Sequence, residues 1–167
     1  MTVQELKSAF VNAYGQAAEA VYFAPGRVNL IGEHTDYNGG SVFPCALSFG
    51  TYLLLRKNGG KTIKFQSLNQ PEVTELGFDQ LTTPLDKSWV NYPLGVFAQF
   101  IKRGIAMKEG YDILIWGNVP NGAGLSSSAA LEVVTAYALN DQLGTNFNRT
   151  VLAQIGQKAE HEFAFVN

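Results

Sequence analysis

Residues 119–129 read Val119-Pro120-Asn121-Gly122-Ala123-Gly124-Leu125-Ser126-Ser127-Ser128-Ala129, and the chain changes character across them. Tyr111 to Trp116, just before, is a β-branched and aromatic run. Ala129 to Leu139, just after, carries apolar residues at helical intervals, at Leu131, Val134, Ala138 and Leu139. The stretch is a strand-to-helix turn. Its glycines let backbone N–H groups approach a ligand with no Cβ in the way, and the following helix start offers free N–H groups and a positive dipole end. Ser126, Ser127 and Ser128 add hydroxyls there, where one can cap the helix and another can face a cation. A phosphate is the ligand such a turn suits.

Other glycine loops with this general look fail on the letters. A Walker-type loop needs Gly, four residues, then Gly-Lys-Ser/Thr; Gly117 and Gly122 have the gap, but Ala123-Gly124 follows and the lysine is missing. A dinucleotide fingerprint gets its G-x-G from Gly122 and Gly124, but Ser127 stands at the third glycine and no acidic strand end follows about 20 residues on. A nucleophile elbow, G-x-S-x-G, fails because Ser128 stands where its last glycine belongs. Three consecutive serines also exceed what helix capping alone requires.

Working outward, a second dense stretch stands near the start: Gly26-Arg27-Val28-Asn29-Leu30-Ile31-Gly32-Glu33-His34-Thr35-Asp36-Tyr37-Asn38. Glu33, His34 and Asp36 crowd a loop closed by Gly39-Gly40. A sugar offers many hydroxyls and little apolar surface, and a carboxylate can accept two hydroxyl hydrogen bonds of the charge-assisted kind. A solvated polar loop would show the same composition.

Composition bounds the rest. The chain has 167 residues, 46% hydrophobic and 16% charged, enough for one domain with a sizeable core. Twelve Lys and Arg against 14 Asp and Glu give a net charge of −2 with no basic cluster, which argues against nucleic acid or an acidic membrane as partner. The single cysteine, Cys45, makes no internal disulfide, no secretory core marks the first residues, and no apolar run approaches the ~18–20 residues of a membrane span, so a cytoplasmic protein is expected. Thr2-Val3-Gln4-Glu5 is a capping box opening a helix that Gly15 ends. Strands are expected at 20–24, 27–31, 41–48, 50–56, 62–67, 72–78 and 111–116, with Pro25-Gly26 as a break and Asn58-Gly59 as a hairpin turn. A second helix runs from Ser88-Trp89 to Gly104, with Trp89 a core residue, and a last helix starts near Arg149, capped by Asn148. Strands followed by helices indicate an α+β layer fold.

The turn Pro120–Ala129 resembles the ATP-phosphate loop of the GHMP small-molecule kinases, and Gly26–Asn38 resembles the galactokinase signature within them; order and spacing match along the whole chain. The resemblance implies an α+β fold with a mixed β-sheet covered by helices on one side, the GHMP kinase amino-terminal domain, which is ribosomal protein S5 domain 2-like. It implies ATP-dependent phosphorylation of galactose at its 1-hydroxyl, with galactose and ATP as ligands and Mg²⁺ as cofactor. By resemblance, Glu33, His34, Thr35 and Asp36 hold the sugar, and an Asp reading two neighbouring hydroxyls could tell the axial 4-hydroxyl of galactose from the equatorial one of glucose. Arg27 stabilises the transition state. Gly122, Ala123, Gly124, Leu125, Ser126, Ser127 and Ser128 cradle the nucleotide phosphates, and Ser128 with Glu160 holds Mg²⁺. The His161-Glu162 pair does not extend to a zinc motif, because Phe165 replaces the second histidine.

In the family the Asp that serves as base follows the position where Asn167 ends this sequence. The expectation is a domain over residues 1–167 without the carboxy-terminal domain that completes the cleft. Such a chain phosphorylates no galactose alone, and it leaves Phe163, Phe165 and Val166 uncovered, with Glu162 the carboxylate nearest the lost base. A non-catalytic sensor of galactose or nucleotide is the alternative; the intact Ser-Ser-Ser-Ala favours the kinase.

Overall fold

In the computed structural model the described residues are 1–32, 34, 38–119 and 126–164. The chain opens as its capping box requires. Thr2 Oγ1 accepts from the Glu5 N–H (3.2 Å) and Glu5 Oε2 accepts from the Thr2 N–H (2.6 Å), which satisfies two otherwise orphaned donors at the start of α1 (Val3–Tyr14). Gly15 ends that helix in the left-handed conformation, φ 72°.

Five strands follow: β1 (Ala20–Ile31), β2 (Phe43–Lys57), β3 (Thr62–Ser67), β4 (Val73–Gly77) and β5 (Tyr111–Gly117). They form one sheet in the order β1-β2-β5-β3-β4, antiparallel except for the parallel pair β3 and β5. The central strand, β5, has both faces covered, which explains its nearly unbroken apolar run. Ile113 and Ile115 join Leu53 and Leu55 in the main core, beneath α2 (Asn91–Lys102), α3 (Ser127–Leu143) and α4 (Arg149–Ala159). Leu114 and Leu54 face the other way, onto Leu6 and Phe10 of α1. The expected α+β fold is therefore present, with helices on both faces rather than one.

Three local expectations need correction. Asn58-Gly59 makes a turn with φ 72° at Gly59, but not a hairpin, because β5 lies between β2 and β3. Instead the turn straddles the start of β5: the Asn58 N–H donates to Gly110 O (3.0 Å) and the Gly110 N–H to Gly60 O (2.8 Å). A Cβ on Gly110 would stand 2.3 Å from Thr62 O, so only glycine fits there. Pro25-Gly26 does not end a strand; β1 runs through it, with a register shift between Pro25 and Arg27. Likewise 41–48 and 50–56 are one strand, β2.

The helical layer is tightly packed. Phe163 is buried in the main core, against the expectation that it would lie uncovered; it sits on a π-helical turn, Glu160–Ala164, that continues α4. Phe165 and Val166 lie outside the described residues. Asn148 caps α4 as expected, its Oδ1 accepting from the Val151 N–H (3.0 Å). Helix α2 starts later than its apolar spacing suggests, with Val90 at the cap position, while the Ser88 hydroxyl donates to Glu72 Oε1 (2.7 Å) and accepts from the Val90 N–H (3.1 Å).

Strands β1, β3 and β5 point the same way, so their carboxyl ends share one pole of the sheet. Both sequence motifs leave from that pole. The loop carrying His34 follows β1, and the turn carrying the serines follows β5, with only β2 between them. The two roots are offset along the sheet: Gly117 stands opposite Thr51 and Thr51 opposite Ala24, so β1 and β2 run on together from Ala24 to Ile31, roughly 23 Å past the end of β5.

Candidate active site

The root of the serine turn is pinned on both sides. Asn69, just past β3, accepts from the Gly117 N–H through Oδ1 (2.8 Å) and donates from Nδ2 to Gly117 O (2.9 Å). On the other side Asn118 Oδ1 accepts from the Gly50 N–H (2.8 Å), and the Asn118 N–H donates to Gly50 O (3.2 Å). The last residues of β5 are thus fixed to both neighbouring strands before the chain turns.

Gly122, Ala123, Gly124 and Leu125 lie outside the described residues, as do Glu33, Thr35 and Asp36. Ser126 is in the left-handed region, φ 57° and ψ 46°, at the start of α3, and makes no side-chain capping bond. The expectation that one serine caps the helix is not met at this position. A non-glycine residue held there is strained by about 1–3 kcal/mol, a cost that concentrates at ligand sites. Ser128, in the first turn, sends its hydroxyl across to α4's extension, where Oγ donates to Glu160 Oε1 at 2.7 Å. The two residues paired by sequence reasoning are brought together.

Ser127 and Ser128 line a cleft of about 180 Å³ with Thr51, Ser67, Trp89 and Tyr92, at the pole where β3 and β5 end. Trp89 is only half-buried; it packs on the main core as expected, but it also faces this cleft, and its Nε1–H is buried without a partner. Sequence reasoning missed that second role because Trp89 precedes α2 and was read as part of it. Also missed was Glu132, one turn beyond Ser128 in α3, 1% exposed and with Oε1 unpartnered. Burial, reinforced by the Glu160 charge, pushes its carboxyl up to about 9. Burial raises the Tyr92 hydroxyl too, with Glu160 and Glu132 adding to the effect.

Arg27 lies exposed on β1 opposite Ala46, beyond the bulge. His34 stands in the turn after β1, its carbonyl accepting from Asn38 Nδ2 (2.9 Å). Glu162, the carboxylate nearest the expected base in sequence, is held by α2: Gln99 Nε2 donates to its Oε2 (2.8 Å) and Lys102 pairs with the same oxygen.

Ser128 and Glu160 supply hard oxygen ligands, which suit Mg²⁺ rather than zinc. Among the described residues no three His, Cys, Asp or Glu side chains group as a metal site, so a cation here would draw on the Ser128 hydroxyl as well as on carboxylates. No helix among them is long and apolar enough to cross a membrane.

A sheet of this order with an anion-suited helix start at its pole defines a GHMP-type small-molecule kinase domain, and residues 91–167 match the family model "GHMP kinases N terminal domain". At 20% identity, the mevalonate kinase of Methanococcus jannaschii shares the fold with a TM-score of 0.78, over 86% of this chain and 46% of that one. Residues 8–57 match a second model, the "Galactokinase galactose-binding signature". The chain belongs to the galactokinases and corresponds to their amino-terminal part. It is 46% identical to the galactokinase of Clostridium beijerinckii over 99% of its own length and 43% of that protein's, and 43% identical to that of Streptococcus mutans over 100% and 43%. The structure of Lactococcus lactis galactokinase complexed with galactose superposes with a TM-score of 0.93 at 38% identity, covering 100% of this chain and 44% of that one. The chain thus spans less than half the length of these relatives.

Proposed function

We propose that the chain carries the nucleotide-phosphate and sugar sites of an ATP-dependent galactose 1-kinase. The observation that supports this reading best is the Ser128–Glu160 pair at the start of α3, beside the cleft and at the pole from which the Glu33–Asp36 loop also leaves. Phosphoryl transfer is catalysed mainly by positioning and charge stabilisation. The backbone N–H groups of the Gly122–Ser128 turn and the α3 dipole receive the nucleotide phosphates, while the base lies in the cleft against Trp89. Ser128 and Glu160 are the residues that would hold Mg²⁺, whose charge would offset that of the phosphates. Glu33, His34, Thr35 and Asp36 fix galactose by its hydroxyls, so that O1 faces the γ-phosphorus. The new O1–P bond forms as the bond to ADP breaks, and the Arg27 guanidinium, permanently charged, stabilises the oxygens that gain charge. By resemblance, the group that takes the O1 proton is an Asp. The exposed thiol of Cys45 suits a reducing compartment and hence the cytoplasm.

Calorimetric titration of the full-length kinase with galactose tests this reading. Asp36→Ala removes a charged hydrogen-bonding partner, a loss of about 1.5–3 kcal/mol, so affinity for galactose falls roughly ten- to more than a hundredfold. Binding of ATP stays unchanged. An unaltered galactose isotherm in D36A would overturn the sugar-site assignment.

A further inference from the structure

Ser128 and Glu132 stand one turn apart on α3, and Gly156 and Glu160 stand four residues apart along α4 and its extension, so the two helices present matched positions to each other. Ser128 meets Glu160 through its hydrogen bond. One turn deeper, Glu132 meets Gly156, where a Cβ would lie 3.4 Å from the Cβ of Glu132 and 3.9 Å from its Oε2. Side chains on a helix lean toward its amino terminus, which tilts the Glu132 carboxyl back toward the level of Ser128. Tyr92 lines the same cleft as Ser128.

The interface between the two helices thus carries two carboxyls, Glu132 fully buried and Glu160 one turn along, and neither is in an ion pair among the described residues. Among the described residues Glu132 Oε1 has no hydrogen-bond partner. A buried polar oxygen left open costs free energy, and two adjacent carboxyls repel when ionised. A divalent cation would supply what the cluster lacks. Glu160 also opens a π-helical turn, a feature that occurs often at functional sites.

We propose that Glu132 is a third protein oxygen donor of the cation site opened by Ser128 and Glu160. The inference rests on the reading of those two residues as metal ligands and extends it: three protein oxygens, rather than two, make a site that holds a divalent cation before any nucleotide arrives. Ser128 lines the cleft with Glu160 hydrogen-bonded to its hydroxyl, and Glu132 closes the site from beneath.

The test uses Mn²⁺ alone, without nucleotide, titrated into residues 1–167 or the full-length kinase and followed by the loss of the free Mn²⁺ paramagnetic resonance signal. The parent should bind one Mn²⁺, with E132Q weakening binding roughly 10–100-fold, as does E160Q. Glutamine keeps the shape of the side chain and removes the charge. Saturating Mn²⁺ should raise the melting temperature of the parent clearly more than that of E132Q. If E132Q does not fold, E132D serves instead: it keeps the charge on a shorter arm and should bind more weakly than the parent. No Mn²⁺ binding by the parent without nucleotide would overturn the proposal, and so would parent-like affinity in whichever Glu132 variant is measured. If S128A and E160Q also leave nucleotide-dependent Mn²⁺ binding unchanged, the underlying reading of the cation site fails with it; if they weaken it, only the role of Glu132 is lost.

Discussion

Gly95 of α2 faces Ala159 of α4 so closely that a Cβ on Gly95 would stand 2.9 Å from the Ala159 Cβ and 3.0 Å from its carbonyl oxygen. That approach sets the position of the turn that begins at Glu160. Gly95→Ala should therefore destabilise the chain by a net ~1–2 kcal/mol, overpacking outweighing the better helix propensity of alanine. Gly156→Ala, whose new Cβ would make only ordinary contact with Glu132, should stay within about 1 kcal/mol of the parent or gain. Urea unfolding of the two variants decides the matter; equal losses would mean that the α2–α4 contact is not as tight as the geometry states.

Ser128→Ala removes both the hydrogen bond to Glu160 and one proposed metal ligand. In the full-length kinase it should raise the Mg²⁺ concentration needed for half-maximal ATP turnover while galactose affinity stays that of the parent. A Mg²⁺ titration of ADP release measures the first and calorimetry the second. A parent-like Mg²⁺ dependence would reduce Ser128 to a structural partner of Glu160.

The chain has two tryptophans, Trp89 at the cleft and Trp116 on β5 against the α1 side of the sheet. Binding of ADP with Mg²⁺ should quench the fluorescence of Trp89 only. W116F should keep the quenching and W89F abolish it. Because the Trp89 Nε1–H has no partner among the described residues, W89F should shift stability by no more than the packing of its smaller ring, about 1 kcal/mol. Quenching that persists in W89F would place the nucleotide base elsewhere.

Lys102 and Gln99 hold the Glu162 carboxyl below its ordinary range, the lysine hydrogen bond being the largest cause. A carboxyl with a depressed folded value adds stability above its unfolded value near 4.5, and that stability is lost as pH falls through the folded value. The pair is solvent-exposed, so its worth is below about 1 kcal/mol. E162Q should be slightly less stable than the parent at pH 7, with the difference closing on acidification to about pH 3. Paired urea melts at the two pH values would contradict this if the gap widened in acid.

Much of this was legible in the letters, and the failures share a physical cause. The capping boxes and caps at Thr2, Glu5 and Asn148 were readable because those bonds close within a few residues. β3 and β5 were readable because strand composition is local. What misled was glycine and proline whose reason lies in a distant strand. Gly50 was expected to begin a new strand after a gap, but it sits mid-strand, and its Cβ would stand 2.2 Å from Ala24 O across the sheet. Asn58-Gly59 looked like a hairpin because β5, far downstream, could not be foreseen between β2 and β3. At the site, the Ser128–Glu160 pair came from family resemblance, which carries long-range pairing that a single sequence does not. Glu132 was passed over because a glutamate in a helix ordinarily faces water, and nothing local marks one that does not.

The place of β5 also orders the events of folding. β1 with β2, and β3 with β4, can each pair as soon as they are made, but these two hairpins share no hydrogen-bonded ladder until Tyr111–Gly117 slides between them. Until then Leu53 to Leu55 and Ile63 to Phe65 lie on open edges, the kind that invite pairing with other chains. Closing the sheet requires contacts far apart in sequence, which makes the step slow relative to hairpin formation. Emerging from the ribosome, the polypeptide stays unfinished until the strand that roots the serine turn has been synthesised, so the sheet and the floor of its cleft are completed in a single event.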